Sequence, residues 1–194
     1  MKKYDAVIIG FGKGGKTLAG DMAGRGLKVA VVEKSDKMYG GTCINVGCIP
    51  TKYLILEATK NRYKNFTSFV QYKDEYKKII ENKISLISSF RKKNFDNLDS
   101  KENIDIITGE GSFLDANTIE VKNKEGIFQI SGDKIFINTG AETVYPPIKG
   151  LKESKYVYDS ERIMELKELP KKLVIIGGGY IGLEYAGMYK NFGS

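Results

Sequence analysis

Histidine is absent from this chain, cysteine occurs only twice, and proline only four times. Each scarcity excludes something. A closed metal centre takes three or four side-chain ligands. With no histidine and only Cys43 and Cys48, such a centre would need ligands from another subunit, so no metal site is expected. Long apolar runs are missing as well: nothing approaches the roughly 18 residues that span a bilayer. The opening MKKYDAVIIGFGKGG mimics a secretion signal, but its apolar stretch is short and runs into a glycine cluster, which reads as a strand. The expected location is the cytoplasm, where two close cysteines are more often catalytic or metal-binding than structural.

What is present sets the class. A chain of 194 residues lies above the usual size of one domain and below that of two. Its 41% hydrophobic content suffices for a core and argues against disorder. The net charge of +7 invites a nucleic-acid reading. The cations Lys73, Lys77, Lys78, Lys83, Arg91, Lys92 and Lys93 are, however, interleaved with Asp74, Glu75 and Glu81. That pattern reads as a solvated helix face, and neither nucleic acid nor membrane is an expected partner.

Along the chain, YDAVII (4–9) reads as a buried strand, a helix follows over 16–24, and KVAVVE (28–33) forms the next strand. Helical patterns cover 52–64 and 71–95, the latter with Tyr72, Tyr76, Ile79, Ile80, Ile84, Ile87 and Phe90 near the spacing of one apolar face. From Ile104 the short segments IDIITGEGSFLD, NTIEVK and GIFQIS predict a β-meander near 111–131, and KIFINTGA a further buried strand. Tyr145-Pro146-Pro147 breaks the chain. After Pro170, LVIIGGGYIGLE repeats the opening strand, glycine turn and helix. A single such unit cannot bury both its faces. The chain is therefore expected to hold a first domain over 1–147 and the beginning of a second, truncated, over 148–194.

The first motif, Gly10-Phe11-Gly12-Lys13-Gly14-Gly15, has the context that gives G-x-G-x-x-G meaning. Gly10 makes the tight turn, Gly12 lets backbone approach a pyrophosphate, and Gly15 lets the helix pack on the strand. The phosphates meet the free N–H groups of the helix start. Glu33 ends the second strand, where its carboxylate can accept hydrogen bonds from a ribose. The second motif places Gly177, Gly179 and Gly182 at the same spacing. The acid or arginine that would separate NADH from NADPH falls outside it. Two such motifs suggest two dinucleotides that exchange electrons.

Cys43 and Cys48 sit in GGTCINVGCIPTK (40–52), five positions apart. Inert thiols, a shared metal site and a redox disulfide are the three readings. In a regular helix that spacing gives about 7.5 Å of rise and directions about 140° apart, beyond the comfortable reach of a disulfide. A bridge would need an irregular turn, for which Gly47 and Pro50 are suited. Lys52 follows within a turn.

Taken together, IIGFGKGG, VVEKS, GGTCINVGCIPTK, INTGA and VIIGGGYIGLE resemble the flavin-dependent pyridine nucleotide–disulfide oxidoreductases, among them glutathione, dihydrolipoamide and mercuric reductases. GFGKGGKTLA, RKKNFDNL and KIFINTGAETVYPPI look most like the reactive-chlorine-resistance branch. The resemblance implies an α/β fold: a Rossmann-like FAD-binding domain, three-layer ββα, with a small meander and the start of a Rossmann-like NAD(P)H-binding domain. It implies that Gly10, Gly12 and Gly15 hold the FAD pyrophosphate and Glu33 the adenosine ribose. Thr42 and Thr139-Gly140 would lie along the flavin, and the Gly111 backbone would meet the adenine. Cys48 would face the flavin and Cys43 would be the interchange thiol. Lys52, paired with Glu184, would sit near the reactive flavin nitrogen. Tyr180 would gate the nicotinamide pocket, and Gly177, Gly179 and Gly182 would receive the NAD(P)H pyrophosphate. The substrate would be a small oxidant, a disulfide or a metal ion, and the complete enzyme a homodimer. The family's histidine–glutamate pair belongs to a C-terminal interface domain that this chain lacks, so the fragment alone is expected to be inactive. The alternatives are a flavin-dependent oxidase or monooxygenase with incidental cysteines, and an inactive nucleotide-binding fragment.

Overall fold

The computed structural model describes residues 1–194. In chain order its elements are β1 (Lys2–Ile9), α1 (Lys13–Gly24), β2 (Val29–Glu33), α2 (Thr42–Asn45), α3 (Cys48–Asn61), α4 (Phe69–Asp99), β3 (Ile104–Thr108), β4 (Glu110–Phe113), β5 (Thr118–Asn123), β6 (Gly126–Ile137) and α5 (Tyr180–Phe192). They form two compact units interleaved along the chain: 1–45 with 89–142, and 46–88 with 143–194.

The first unit holds one six-stranded sheet in the order β3-β2-β1-β6-β5-β4. β1 pairs in parallel with β2 and β6, and β2 with β3, while β4, β5 and β6 pair antiparallel. The alternation of side chains explains the layering. Ala6, Ile8, Val29 and Val31 pack with Ala19 and Met22 of α1 and Leu98 of α4. Their neighbours Val7, Ile9, Ala30 and Val32 pack with Ile119, Val121 and Ile130 of the meander. A strand covered on both sides must be apolar throughout, which is why YDAVII and VAVV carry no alternation. Helices, parallel strands and meander thus make the expected three ββα layers.

GIFQIS and KIFINTGA, expected as separate strands, are one continuous β6. Its first half pairs with β5 and its second with β1. Gly132 marks the change of partner. A Cβ there would come within 2.9 Å of Val7 Cγ2, so only glycine lets the strands approach.

The second unit is helical. Leu54 and Ala58 of α3, Tyr76, Ile79 and Ile80 of α4, and Tyr185, Met188, Tyr189 and Phe192 of α5 bury a common core with Ile163, Met164 and Leu169. The segment 160–166, which contains a 3-10 turn over Arg162–Glu165, is pinned by tyrosine hydroxyls. Tyr185 donates to the Ser160 carbonyl at 2.7 Å, Tyr189 to Ile163 at 3.0 Å, and Tyr76 to Leu166 at 3.0 Å.

Three expectations are corrected here. The solvated face assigned to the α4 cations does not hold for Lys83, which is buried and donates to the Met164 carbonyl at 2.7 Å; Ile84 and Phe90, expected on the apolar face, are exposed. The stretch LVII (173–176) is not a strand. No strand of the chain pairs with it, and without a ladder its N–H and C=O groups have no reason to extend.

Candidate active site

The first glycine motif lies at the carboxyl end of β1, where ligands settle in open parallel sheets. Gly10 has φ +106°, a conformation side chains rarely adopt, and its N–H donates to the Val32 carbonyl at 2.7 Å. A Cβ on Gly15 would collide with the Gly10 carbonyl and approach Ile8 Cγ2 to 3.0 Å, so the third glycine is needed for helix–strand contact. Glu33, at the end of β2, is buried. Its carboxylate oxygens accept the Phe11 N–H at 2.9 Å and the Ser35 N–H at 3.2 Å, which leaves lone pairs for a ribose hydroxyl.

Thr139 and Gly140 follow β6 in an exposed loop, with Gly140 at φ +81°. The residue before them, Asn138, escaped sequence reasoning. Its Nδ2 donates to the Gly10 carbonyl at 3.2 Å, and its side chain fills the space beside Gly12 and Gly14. Its place depends on the parallel pairing of β6 with β1, for which the sequence carries no local signal. Gly111 lies in β4, where a Cβ would meet Ile119 Cγ2 and Val32 Cγ1 at 3.3 Å; glycine there lets the meander close on the parallel strands.

The cysteine segment stacks on this turn. Gly40 donates its N–H to the Phe11 carbonyl at 3.1 Å. A Cβ on Gly41 would lie 2.6 Å from Gly12 Cα. Thr42 then opens α2, exposed, and Cys43 is half-buried within it. Asn45 fixes the turn: Nδ2 donates to the Tyr39 and Gly41 carbonyls at 3.0 and 2.9 Å, and Oδ1 accepts Arg91 Nε at 2.8 Å. Lys16 of α1 donates to Asn94 Oδ1 of α4, and Asn94 in turn donates to the Phe90 carbonyl at 2.7 Å. Lys16, Asn45 and Asn94 were not among the residues the sequence singled out, and Arg91, read there as part of a solvated face, is half-buried against Asn45. A lysine just after a glycine motif and an arginine in a charged helix give no sequence signal of their own.

In the second unit Cys48 opens α3 and is exposed. Both cysteines are thiols in the structure. The break between α2 and α3 falls at Val46–Gly47, so the cysteines do not share a regular helix; Gly47 caps α3 at φ −129°, ψ −112°. Pro50 is buried in the first turn of α3, a position where its missing N–H is not needed. Lys52 of α3 forms an ion pair with Glu184 of α5. The second glycine motif borders a cavity of about 450 Å³ whose lining includes Gly177, Gly179, Tyr180, Gly182 and Tyr158. Tyr180 is exposed at its edge. No group of three or more Cys, Asp or Glu side chains is arranged for a metal. No helix is long and apolar enough to cross a membrane.

A dinucleotide turn without side chains at Gly12, an acid at the end of β2 and a cysteine loop resting on that turn define a class of flavin-linked redox protein. The family model for pyridine nucleotide-disulphide oxidoreductases matches residues 4–194, and the chain belongs to that family, whose cofactors are FAD and NAD(P)H. The chain is 50% identical over 194 residues to a probable pyridine nucleotide-disulfide oxidoreductase, RclA, of Escherichia coli K12, covering all of this chain and 41% of that protein. It is 34% identical to mercuric reductase of Bacillus cereus, over 98% of this chain and 30% of the relative. The solved Cu(II) complex of the HOCl-induced flavoprotein disulfide reductase RclA from Escherichia coli superposes with a TM-score of 0.90 at 49% identity, covering 100% of this chain and 41% of that one. The chain therefore spans about two-fifths of the RclA protein. The cradle fits FAD: the start of α1 at Gly12 carries no side-chain cap, so its first N–H groups are open to a pyrophosphate, and Glu33 keeps unused acceptor capacity.

Proposed function

We propose that this chain is the N-terminal, flavin-binding part of a flavoprotein disulfide reductase that draws on NAD(P)H and reduces a small oxidant, disulfide or metal ion through Cys43 and Cys48. The observation that carries this reading is the seating of the cysteine loop on the dinucleotide turn, Gly41 against Gly12. In this reading 1–147 binds FAD through Gly10, Gly12, Gly15, Glu33, Thr42, Gly111, Thr139 and Gly140. Residues 148–194 begin the NAD(P)H domain, with Gly177, Gly179 and Gly182 facing the pyrophosphate and Tyr180 gating the nicotinamide. The complete protein is a cytoplasmic homodimer.

When bound, the flavin relays the electron pair of NAD(P)H. Opening the Cys43–Cys48 bridge takes up that pair and yields two thiols once protons are added. For a disulfide acceptor, the Cys43 thiolate attacks one sulfur and expels the other half as a thiolate. Cys48 then attacks the Cys43 sulfur of the mixed disulfide, which restores the bridge and releases the second half. Lys52, held by Glu184, would supply positive charge to a bound flavin. Mercury and Cu(II) in the names of the relatives make thiophilic or redox-active metal ions reasonable acceptors to test.

Cys48→Ser and Cys43→Ser in the full-length protein should each reduce NAD(P)H-dependent turnover of disulfide, Cu(II) or hypochlorous-derived acceptors by at least about a hundredfold. Full turnover in either variant would rule out the relay and favour an oxidase with incidental cysteines.

A further inference from the structure

We infer that Arg91 is a positioning residue that acts through Asn45 to hold Cys43 where its sulfur can be closed into the bridge. The inference rests on the reading of Cys43 as the interchange thiol and adds what fixes it in place.

Cys43 lies between Gly41 and Asn45 on the short helix α2. A helix this short has no stability of its own. A backbone bond runs along it from the Asn45 N–H to the Gly41 carbonyl at 3.2 Å, and the Asn45 side chain adds the rest. That side chain is buried. Its Nδ2 donates back to the carbonyls of Gly41 at 2.9 Å and Tyr39 at 3.0 Å. One amide thereby closes the stretch that carries Cys43 into a ring.

The amide works only one way round. An asparagine offers one acceptor oxygen and one NH2 donor. With Nδ2 turned to the two carbonyls, Oδ1 needs a donor, and Arg91 Nε of α4 supplies it at 2.8 Å. A guanidinium only donates, so it excludes the flipped amide, which would set Oδ1 against both carbonyls. The groups around the ring are themselves fixed. Tyr39 is stacked between Phe11 and Phe95, with ring centroids 5.1 and 4.8 Å away, and Gly41 rests on Gly12. Arg91, Asn94 and Phe95 share one face of α4. Phe95 meets Tyr39, Asn94 packs against Gly40, and Arg91 reaches Asn45. Of the three holds, that of Arg91 ends two residues from Cys43.

Both cysteines are thiols in the structure, so the hold is made in the form from which the bridge closes. Closure is the intramolecular attack of Cys48 on the Cys43 sulfur of a mixed disulfide, and its rate depends on how narrowly that sulfur is held. Removing Arg91 leaves a buried Oδ1 without its donor, frees the amide to flip and loosens the ring. The earlier attack of Cys43 on an outside disulfide, which arrives by diffusion, does not need the ring.

The test mixes reduced full-length holoenzyme with hydroxyethyl disulfide, quenches with acid at intervals and follows the Cys43 adduct by mass spectrometry. The adduct forms, then disappears as the bridge closes. A Cys48→Ser background, where it cannot close, gives the rate of formation. Arg91→Met should slow closure about tenfold and leave formation within about twofold, with flavin content retained. Arg91→Lys, which keeps a charged donor, should recover most of the closure rate. Asn45→Asp should be as slow as Arg91→Met, although it gives Arg91 a charged partner, because a carboxylate cannot donate to the Gly41 and Tyr39 carbonyls. Wild-type closure in Arg91→Met or Asn45→Asp overturns the inference. So does an equal slowing of both steps, which a general loosening of the protein would give. If Arg91→Met does not fold or loses flavin, Asn45→Asp decides by the same two rates. Loss of flavin there as well assigns the pair to the fold and overturns the inference. Failure of the relay is seen separately, as full turnover in Cys43→Ser, whereas adduct formation and closure are read without NAD(P)H.

Discussion

The two glycine turns of this chain are nearly the same in backbone and opposite in surroundings. Gly10 and Gly177 have φ +106° and +105°. Gly12 and Gly179 cap their helices at φ −70° with ψ 176° and 172°. Gly15 and Gly182 each lie so close to the carbonyl of the first glycine that a Cβ would collide. Yet the strand before Gly10 is paired on both edges and buried on both faces. The residues before Gly177 form no strand, and Val174 and Ile176 are 87% and 64% exposed. The turn is therefore a local property of three glycines and a helix start, whereas the strand exists only where neighbours complete its hydrogen bonds.

Substituting the first glycine of each turn should separate these contributions most strongly. Gly177→Ala meets nothing within 4 Å, so it carries only the backbone penalty, about 1–3 kcal/mol. Gly10→Ala adds a collision with the Asn138 carbonyl and should lose about 4 kcal/mol or more, with FAD binding. Urea midpoints and flavin content of the two variants check this; equal losses would mean that the cover over Gly10 contributes nothing.

A middle-sized effect concerns Lys83 in the second unit, whose burial pushes its ammonium below the usual lysine range against the opposing pull of Glu165. Between that lowered value and the unfolded one near 10.5, the unfolded chain binds more protons, so this group makes stability rise with pH. Lys83→Met removes the slope and changes stability at pH 7 by no more than about 1–2 kcal/mol, because a buried charge is exchanged for apolar volume. Urea titrations of both proteins from pH 7 to 10.5 should therefore diverge toward alkali.

The smallest effect belongs to Asp105 in the first unit. The Tyr4 hydroxyl, at 2.7 Å, holds its carboxyl below the usual range, and Lys2 adds to this against partial burial. Its stabilisation is present above the unfolded value of about 3.8 and is lost as pH falls through the lower folded value. Asp105→Asn should flatten the acid limb of a thermal-melting profile, by about 0.5 kcal/mol or less since the pair is part-exposed.

The same contrast explains what could be read from the residues. YDAVII, the glycines and KVAVVE specify β1, α1 and β2 through short-range pattern alone, and the ion pair of Lys52 with Glu184 followed from a motif resemblance. Asn138 could not be seen because its role depends on β6 returning beside β1, 128 positions after Gly10. Lys83 and Arg91 looked like members of a solvated charge run. Their actual partners, Met164 and Asn45, are set by packing. LVII looked like YDAVII, and differs only in lacking a neighbour.

The central claim is most directly tested by counting thiols. Oxidised full-length protein, titrated anaerobically with NADH or NADPH, should expose two alkylatable sulfurs per chain, mapped to Cys43 and Cys48, and close them again when an acceptor is added. Cysteines that stay equally reactive before and after the reductant, while the acceptor is still consumed, would contradict the account.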